Sequence, residues 1–133
     1  MTELTEKIGK IYYINLDRRP DRNSHMINEL QRVNVPEEKI ERFTAIDGLN
    51  LFTHGVNAND IGLFRNSDFI RKKNKNLLIG NQLSHMRLID KIIENKYEVA
   101  LIMQDDLKFM DTFNEELNKI IGNMPDDTEI VWI

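Results

Sequence analysis

The sequence predicts an α/β fold in a single domain of 133 residues, with a mostly parallel sheet that helices flank on both faces. Apolar runs typical of strands alternate along the chain with segments that carry apolar residues at helical spacing. The most continuous apolar run, residues 99–103, leads directly into Gln104-Asp105-Asp106. Such a run is typical of a buried strand, and ligands of open α/β sheets bind outside the carboxyl ends of such strands. We therefore expect the functional site beside Asp105 and Asp106.

The composition, 41% hydrophobic and 30% charged, is ordinary for a soluble globular protein. The absence of cysteine excludes a disulfide framework and a thiolate zinc site, and favours an intracellular, most simply cytoplasmic, location. No stretch is long enough to span a membrane, and the amino-terminal residues do not resemble a signal peptide. The net charge of -4 argues against broad electrostatic binding of nucleic acid.

Residues 8–16 predict the first strand because they are rich in β-branched and aromatic side chains. A polar turn follows, and then a helix that begins at Pro20, a residue suited to the first helical turn. The apolar stripe of this helix comprises Met26, Ile27, Leu30 and Val33. Arg18, Arg19 and Arg22 surround the helix start. They either converge with free backbone N–H groups on an anion or form solvated ion pairs with neighbouring acids.

Residues 40–45 predict a second strand, which ends at Ile46-Asp47-Gly48. Asp47 accepts hydrogen bonds either from a ligand or from the amides of its own turn. The periodicity fails from residue 49 to residue 76, which indicates a long excursion with one helical turn near residues 58–63. The basic stretch at residues 65–75 is either a cationic flap over a phosphate or a solvated charge run.

A long helix is predicted to follow residues 77–80 and to end near Asn95. Its main apolar stripe comprises Leu83, Met86, Ile89 and Ile93, with Leu88 and Ile92 beside it. Gln82, Ser84 and His85 fall in its first turn or two, where free backbone N–H groups favour anions. A structural hydrogen bond is the alternative role for the histidine.

The two adjacent acids at the end of the run 99–103 are expected to point to opposite sides of an extended segment. One then faces the crevice while the other holds a loop or a helix end. Mg²⁺ or Mn²⁺ bridging diphosphate oxygens suits such a site, and the alternative is a turn in which an acid caps the next segment. Asp111-Thr112 predicts the cap of a last helix ending at Gly122, and residues 129–133 predict one more strand.

Three stretches taken together resemble glycosyltransferase family 25, the lipopolysaccharide and collagen galactosyltransferase type. They are residues 12–22 (YYINLDRRPDR), residues 45–48 (AIDG), and residues 80–85 (GNQLSH) followed by the strand ending in residues 104–106 (QDD). The resemblance implies one GT-A-like, Rossmann-like domain over residues 1–133 that binds a nucleotide-diphosphosugar. It also implies a UDP-sugar donor (UDP-galactose or a related UDP-hexose), Mn²⁺ or Mg²⁺, and inverting transfer to a hydroxyl acceptor.

The donor-binding residues that the resemblance implies lie at predicted strand ends or helix starts. They are Asn15, Leu16, Asp17, Arg18, Arg22, Asp47, Gln82, Ser84, His85 and Asp105. By position, the first three would line the uridine side, and the two arginines would reach the ribose or diphosphate. Asp47 would hold the base, and Ser84 and His85 would lie near the ribose and diphosphate.

The metal-binding acid implied by the resemblance is Asp106, with Gln104 beside it. Gln104 stands where the family motif usually has glutamate, and a neutral amide is a weaker ligand for a hard cation. The family continues beyond this length with the acceptor side, so this sequence is expected to be a donor-binding half, with no nominated catalytic base. A homodimer is expected to cover the sheet edge that the missing half would have covered.

Two other functions compete with a transferase that transfers the sugar or slowly hydrolyses the donor. One is a catalytically silent module for nucleotide-sugar binding or assembly, which Gln104 favours. The other is a phosphorylation-receiver domain, which has a similar length and an acid pair at a strand end. The late position of the acid pair in this sequence, with no strand-end lysine after it, argues against the receiver.

Overall fold

A computed structural model describes residues 2–51 and 75–129, and it shows three parallel strands with three α-helices packed around them. In chain order the elements are β1 (Lys10–Asn15), α1 (Pro20–Arg32), a 3-10 helix (Glu37–Lys39), β2 (Ile40–Thr44), α2 (Lys75–Glu94), β3 (Ala100–Gln104) and α3 (Phe113–Asn123). The predicted α/β class is confirmed. The helical turn predicted near residues 58–63, and most of the basic stretch and of the last predicted strand, lie outside the described residues.

The sheet has the strand order β2-β1-β3, and both outer strands run parallel to the central β1. The register places Asn15 beside Thr44, and Ile14 beside Gln104. The carboxyl ends of the described strands therefore meet at one edge, where the sequence predicts the functional site. None of the helices within residues 2–51 and 75–129 is both long and apolar enough to cross a membrane.

Apolar cores lie on both faces of the sheet because successive side chains of β1 point in opposite directions. On one face, Ile11 packs in a cluster with Met26 of α1 and Leu117 of α3. On the other face, Tyr12 packs in a cluster with Leu88 of α2. The helices thus cover both faces of the sheet, as predicted.

The strand β3 is less buried than its sequence predicts. Leu101 packs on the α1 and α3 side, Ile102 packs on the α2 side, and both are only partly buried. Among the described strands β3 has β1 as its one neighbour, whereas β1 lies between two strands and has Ile11 and Tyr12 fully buried. The strand covered on both faces is therefore β1.

The helix α2 presents a different face to the core from the one that the apolar stripe predicts. Leu83 is buried as expected, but Met86, Ile89 and Ile93 are 45%, 43% and 68% exposed. The buried line instead contains the polar residue Ser84, together with the apolar residues Ile79, Leu83 and Leu88. A search for apolar residues alone does not identify this buried face of α2, because the polar residue Ser84 occupies one of its positions.

The other two helices differ from the predictions in detail. Met26 and Leu30 of α1 are buried, as is Val33 directly after it, but Ile27 is 41% exposed because it points away from these residues. In α3 the N-cap residue is Thr112, yet its side chain makes no capping hydrogen bond, and the helix continues one residue past Gly122.

The turn after β2, residues 45–48, packs directly on α2. The Ile46 N–H donates to Ser84 Oγ at 2.8 Å, and this hydroxyl donates to the Gly80 carbonyl oxygen at 2.7 Å. A Cβ at Gly80 would lie 2.7 Å from the Ile46 carbonyl oxygen and 2.9 Å from the Gly48 nitrogen. Glycine at position 80 therefore allows the two backbones to approach, and Ser84 fixes the turn in place.

Replacing Leu88 by alanine is expected to lower the free energy of unfolding by about 2–5 kcal/mol, because it opens a cavity between α2 and the sheet. Ile89→Ala is the matched control at the neighbouring exposed position and is expected to change this free energy by less than about 1 kcal/mol. Urea unfolding followed by circular dichroism measures both variants. A larger loss for Ile89→Ala would mean that the other face of α2 meets the sheet.

Gly80→Ala is expected to destabilise the fold by about 1–3 kcal/mol, because the added methyl group collides with backbone atoms of the turn at residues 45–48. Gly122→Ala is the control within α3. It meets no atom within 4 Å and is expected to stabilise the helix by up to about 1 kcal/mol. Thermal unfolding distinguishes the two, and equal stabilisation of both variants would contradict the close approach at Gly80.

Candidate functional site

A cleft of about 180 Å³ opens at the carboxyl edge of the sheet. Its walls are the loops after β1 and β2, the beginning of α2 and the end of β3. The sequence-predicted residues that line it are Leu16, Arg18, Arg22, Asp47, Ser84, Gln104 and Asp105. The others, Asn15, Asp17, Gln82, His85 and Asp106, are outside its lining as far as the described residues define it.

Asp105 lines the cleft and is only 6% exposed. Its Oδ2 accepts a hydrogen bond from Asn15 Nδ2 at 2.8 Å, and its Oδ1 accepts one from Arg22 Nη1 at 3.3 Å. Each carboxylate oxygen therefore has a donor, as a buried acid requires. The carboxylate joins the end of β3 to the end of β1 and to the start of α1.

Asn15, the last residue of β1, is 1% exposed and hydrogen-bonded through both ends of its amide. Besides Asp105, its Nδ2 donates to the Arg19 carbonyl oxygen at 3.1 Å. Its Oδ1 accepts from Arg42 Nε at 2.9 Å. Arg42 Nη2 also donates to the Asn15 carbonyl oxygen at 3.2 Å and to Asp17 at 2.7 Å. The loop after β1 is thus attached to both neighbouring strands.

Asp47 and Arg18 form the second ionic contact of the cleft, with Arg18 Nε 2.8 Å from Asp47 Oδ2. The other carboxylate oxygen accepts the Leu49 N–H at 3.0 Å. Asp47 therefore supports its own turn, as one of the alternatives predicts, and also holds an arginine. The side chain of Arg18 is 47% exposed whereas that of Asp47 is 9% exposed, so the carboxylate is the fixed partner.

The three arginines near the start of α1 divide between the two predicted roles. Arg18 and Arg22 line the cleft, whereas Arg19 forms an exposed ion pair with Asp21 at 2.8 Å. The hydrogen bond from Arg19 lowers the pKa of Asp21 to about 2. Only Arg18 and Arg22 of this cluster are therefore placed to meet an anion in the cleft.

Because the described part of α2 already includes Lys75, the prediction that Ser84 and His85 fall in its first turn or two is wrong, whereas Gln82 is at the end of the second turn counted from Lys75. Ser84 and His85 lie in the third turn, whereas the free N–H groups belong to the first four residues of a helix. Ser84 holds the turn after β2, and His85 Nδ1 lies 2.9 Å from the Asn81 carbonyl oxygen. His85 therefore has the structural hydrogen bond given as its alternative role.

The adjacent acids lie in a turn that follows β3 rather than on an extended segment, and their environments differ, since Asp105 is buried and Asp106 is exposed. Gln104 is exposed as well and lines the cleft. Within residues 2–51 and 75–129 there is no group of three or more histidine, aspartate or glutamate side chains placed to hold a metal ion. A hard cation that is held by fewer side chains completes its coordination with phosphate oxygens or water.

Side chains of α1 also fix the segment that follows the acid pair, residues 107–111. Glu29 accepts the Phe109 N–H at 2.8 Å, and Arg32 donates to the Phe109 carbonyl oxygen. Arg32 also contacts Asp111 at 2.5 Å, and His25 Nε2 lies 2.6 Å from the Leu107 carbonyl oxygen. The hydrogen bonds from Arg32, and then from Phe109, lower the pKa of Glu29 to about 2.

Arg42 and the three α1 side chains that hold residues 107–111 were not predicted as site residues. The sequence offers a weak signal for each. Arg42 is a charged residue inside a short strand next to Phe43, and His25, Glu29 and Arg32 lie on one line of a helix. Neither signal identifies the partner, which is up to 82 residues away in the chain.

Glu29→Gln is expected to lose stability relative to the wild type above pH 4.5, because the charged hydrogen bonds to Arg32 and Phe109 are weakened. The pKa of Glu29 is lowered in the fold, so its stabilising charge is present above the unfolded pKa and is lost as pH falls towards 2. The difference in urea midpoint between the two proteins should therefore shrink below about pH 4.5. Glu94→Gln, at the exposed end of α2, is the control, and a pH-independent difference for Glu29→Gln would contradict the assignment.

The chain matches the model of one protein family, glycosyltransferase family 25 (LPS biosynthesis protein), over residues 8–133. Procollagen galactosyltransferase 2 of Homo sapiens is 30% identical over 132 residues, which cover 96% of this chain and 20% of that protein. A glycosyltransferase 25 family member of Aedes aegypti is 28% identical over 120 residues, covering 87% of this chain and 19% of that protein. Procollagen galactosyltransferase 1 of Danio rerio is 28% identical over 141 residues, covering 100% of this chain and 23% of that protein.

No solved structure gives a significant match. The chain spans about a fifth of the length of the three relatives named above. The family match itself extends over nearly all of the sequence and includes the cleft residues from each described strand end. This chain therefore belongs to glycosyltransferase family 25.

Proposed function

We propose that this chain is the donor-binding unit of a glycosyltransferase, which binds a UDP-sugar with Mn²⁺ or Mg²⁺ and transfers the sugar to a hydroxyl group. The observation that carries the proposal is the convergence of Arg18, Arg22, Asp47 and Asp105 on one cleft in a chain of this family. The cleft lies at the carboxyl ends of parallel strands, where open α/β sheets bind their ligands.

The two arginines suit the diphosphate of the donor. The side chains of Arg18 and Arg22 are 47% and 40% exposed, and each is paired with a carboxylate that is 9% exposed. The buried partner fixes one edge of each guanidinium and leaves other N–H groups for phosphate oxygens. Negative charge grows on the diphosphate as the sugar leaves, and fixed cations stabilise that charge.

Asp47 is proposed to accept a hydrogen bond from the N3–H of uracil. The carboxylate is held in the cleft wall by the Leu49 N–H, and an ionised carboxylate accepts several hydrogen bonds. Its position between the turn after β2 and Arg18 would place the base beside the arginine that meets the diphosphate. The base and the phosphates would then lie along the same wall of the cleft.

The residues at the end of β3 are compatible with Mn²⁺ or Mg²⁺. Asp106 offers a carboxylate, Gln104 offers an amide oxygen, and both are exposed. Such cations use few protein ligands and complete their coordination with phosphate and water, so a large acidic cluster is not required. When bound, the cation would neutralise part of the diphosphate charge.

A silent nucleotide-sugar-binding module, or one that only hydrolyses the donor slowly, is the second candidate. The neutral Gln104 favours it, because an amide is a weaker ligand for a hard cation than a carboxylate. The homodimer expected from the sequence remains a prediction, and the molar mass of the purified protein in solution would test it. UDP-galactose is the first donor to test because two relatives are named procollagen galactosyltransferases.

Isothermal titration with UDP and UDP-galactose, with and without Mn²⁺, is the experiment that tests the proposal. We expect binding that Mn²⁺ strengthens, and we expect Asp106→Ala to reduce the Mn²⁺-dependent part by about tenfold or more. Asp90→Ala, an exposed acid on α2, is the control and should bind like the wild type. Release of UDP over time separates a working transferase or hydrolase from the silent module. If the wild type binds neither ligand, the proposed function is wrong.

A further inference from the structure

We propose that Arg42 is a positioning residue for the donor site, because it fixes the orientation of the Asn15 amide and, through it, the Asp105–Arg22 pair. The inference rests on the proposed function, since Arg22 is the member of this series that would meet the donor diphosphate. Arg42 itself is not among the residues that line the cleft in the described part of the chain.

The four side chains form a continuous donor–acceptor series that links the described strands to one another and to α1. Arg42 of β2 donates to the Asn15 Oδ1 of β1, and the Nδ2 of that amide donates to Asp105 after β3. Arg22 of α1 donates to the other oxygen of Asp105. The distances are 2.9, 2.8 and 3.3 Å in that order.

The orientation of the Asn15 amide is fixed from both sides, by Arg42 at its oxygen and by Asp105 and the Arg19 carbonyl oxygen at its nitrogen. A guanidinium only donates, so the amide atom facing it must be the oxygen, and the nitrogen then faces Asp105. The opposite orientation of the Asn15 amide would place its NH2 group against the Arg42 donor and its oxygen against two acceptors, the Asp105 carboxylate and the Arg19 carbonyl oxygen. Asn15 is 1% exposed, so water cannot relieve such a mismatch.

Arg42 thereby affects the position of the Asp105 carboxylate, which binds Arg22. With Asn15 donating to its Oδ2, the Asp105 carboxylate keeps its Oδ1 for Arg22. Loss of Arg42 leaves the buried amide oxygen of Asn15 without its donor, so Asn15 is held less firmly and the Asp105 carboxylate that it contacts can shift. We therefore expect Arg42→Met to weaken UDP binding by about tenfold, although position 42 does not line the cleft.

A double-mutant cycle tests whether Arg42 acts through Asp105. UDP affinity is measured by titration calorimetry for the wild type, Arg42→Met, Asp105→Asn and the double variant, well below their unfolding temperatures. We expect the effect of Arg42→Met to be largely lost in the Asp105→Asn background, because both changes break the same series. If Arg42→Met and Asp105→Asn reduce the UDP affinity by independent factors, the inference is wrong. Arg42 would then contact the ligand directly or affect binding through general destabilisation.

Two further variants separate positioning from stability. Thr44→Val removes the Arg42 Nη1 contact with Thr44 Oγ1 at 3.1 Å and leaves the Asn15 contact intact, so it should bind UDP like the wild type. Arg42→Lys keeps the charge without the planar fork, and we expect it to recover only part of the affinity. If Arg42→Met binds UDP as tightly as the wild type, whatever its free energy of unfolding, the inference is wrong.

Nuclear magnetic resonance of the Asn15 side-chain amide tests the hydrogen-bonded series without any ligand, so its result does not depend on the proposed function. We expect its signals to shift in Arg42→Met and in Asp105→Asn but not in Thr44→Val. If the wild type binds UDP and the cycle is additive, the positioning role is wrong while the proposed function stands. If the wild type binds no UDP, the donor site and its positioning both fail, and unchanged amide signals in Arg42→Met would exclude the hydrogen-bonded series as well.

Discussion

The hydrogen bonds of the buried Asn15 amide hold together the edge of the sheet on which the site depends. Asn15 ends the central strand, and its side chain connects to Arg42 of β2, to Asp105 after β3 and to the Arg19 backbone. A buried amide that lost these partners would cost about 1–3 kcal/mol for each unsatisfied group, so the arrangement is strongly specified. Three segments that are distant in the chain are thereby fixed at one point.

The helix α1 connects the core to the site, because one of its sides packs against the sheet and another contacts the segment after β3. Met26 and Leu30 pack against the sheet, whereas Glu29 and Arg32 hold residues 107–111 on the partly exposed side. The acid pair at the end of β3 is therefore supported from β1 before it and from α1 after it. A cleft built on such supports can hold charged groups in place without reorganisation when a ligand arrives.

The pairing of arginines with buried carboxylates explains how a protein with a net charge of -4 can offer a local site for an anion. Arg18 and Arg22 are each about half exposed, and their partners Asp47 and Asp105 lie beneath them. The carboxylates reduce the cost of holding two cations close together, while the guanidinium groups remain accessible. Charge balance at the edge of the sheet is thus local rather than a property of the whole surface.

The α/β class, the alternation of elements and the position of charged residues at the strand ends were predictable from the sequence. These features depend on local patterns, such as the apolar run at residues 99–103 and Pro20 at the start of α1. The burial of β1, the most buried strand, and the place of Ser84 on the core face of α2 depended on how the distant segments pack together. The same is true of the contact between Arg42 and Asn15. The physical reason is that a polar side chain can be buried wherever a hydrogen-bond partner awaits it, and that partner is supplied by a distant segment that no local pattern identifies.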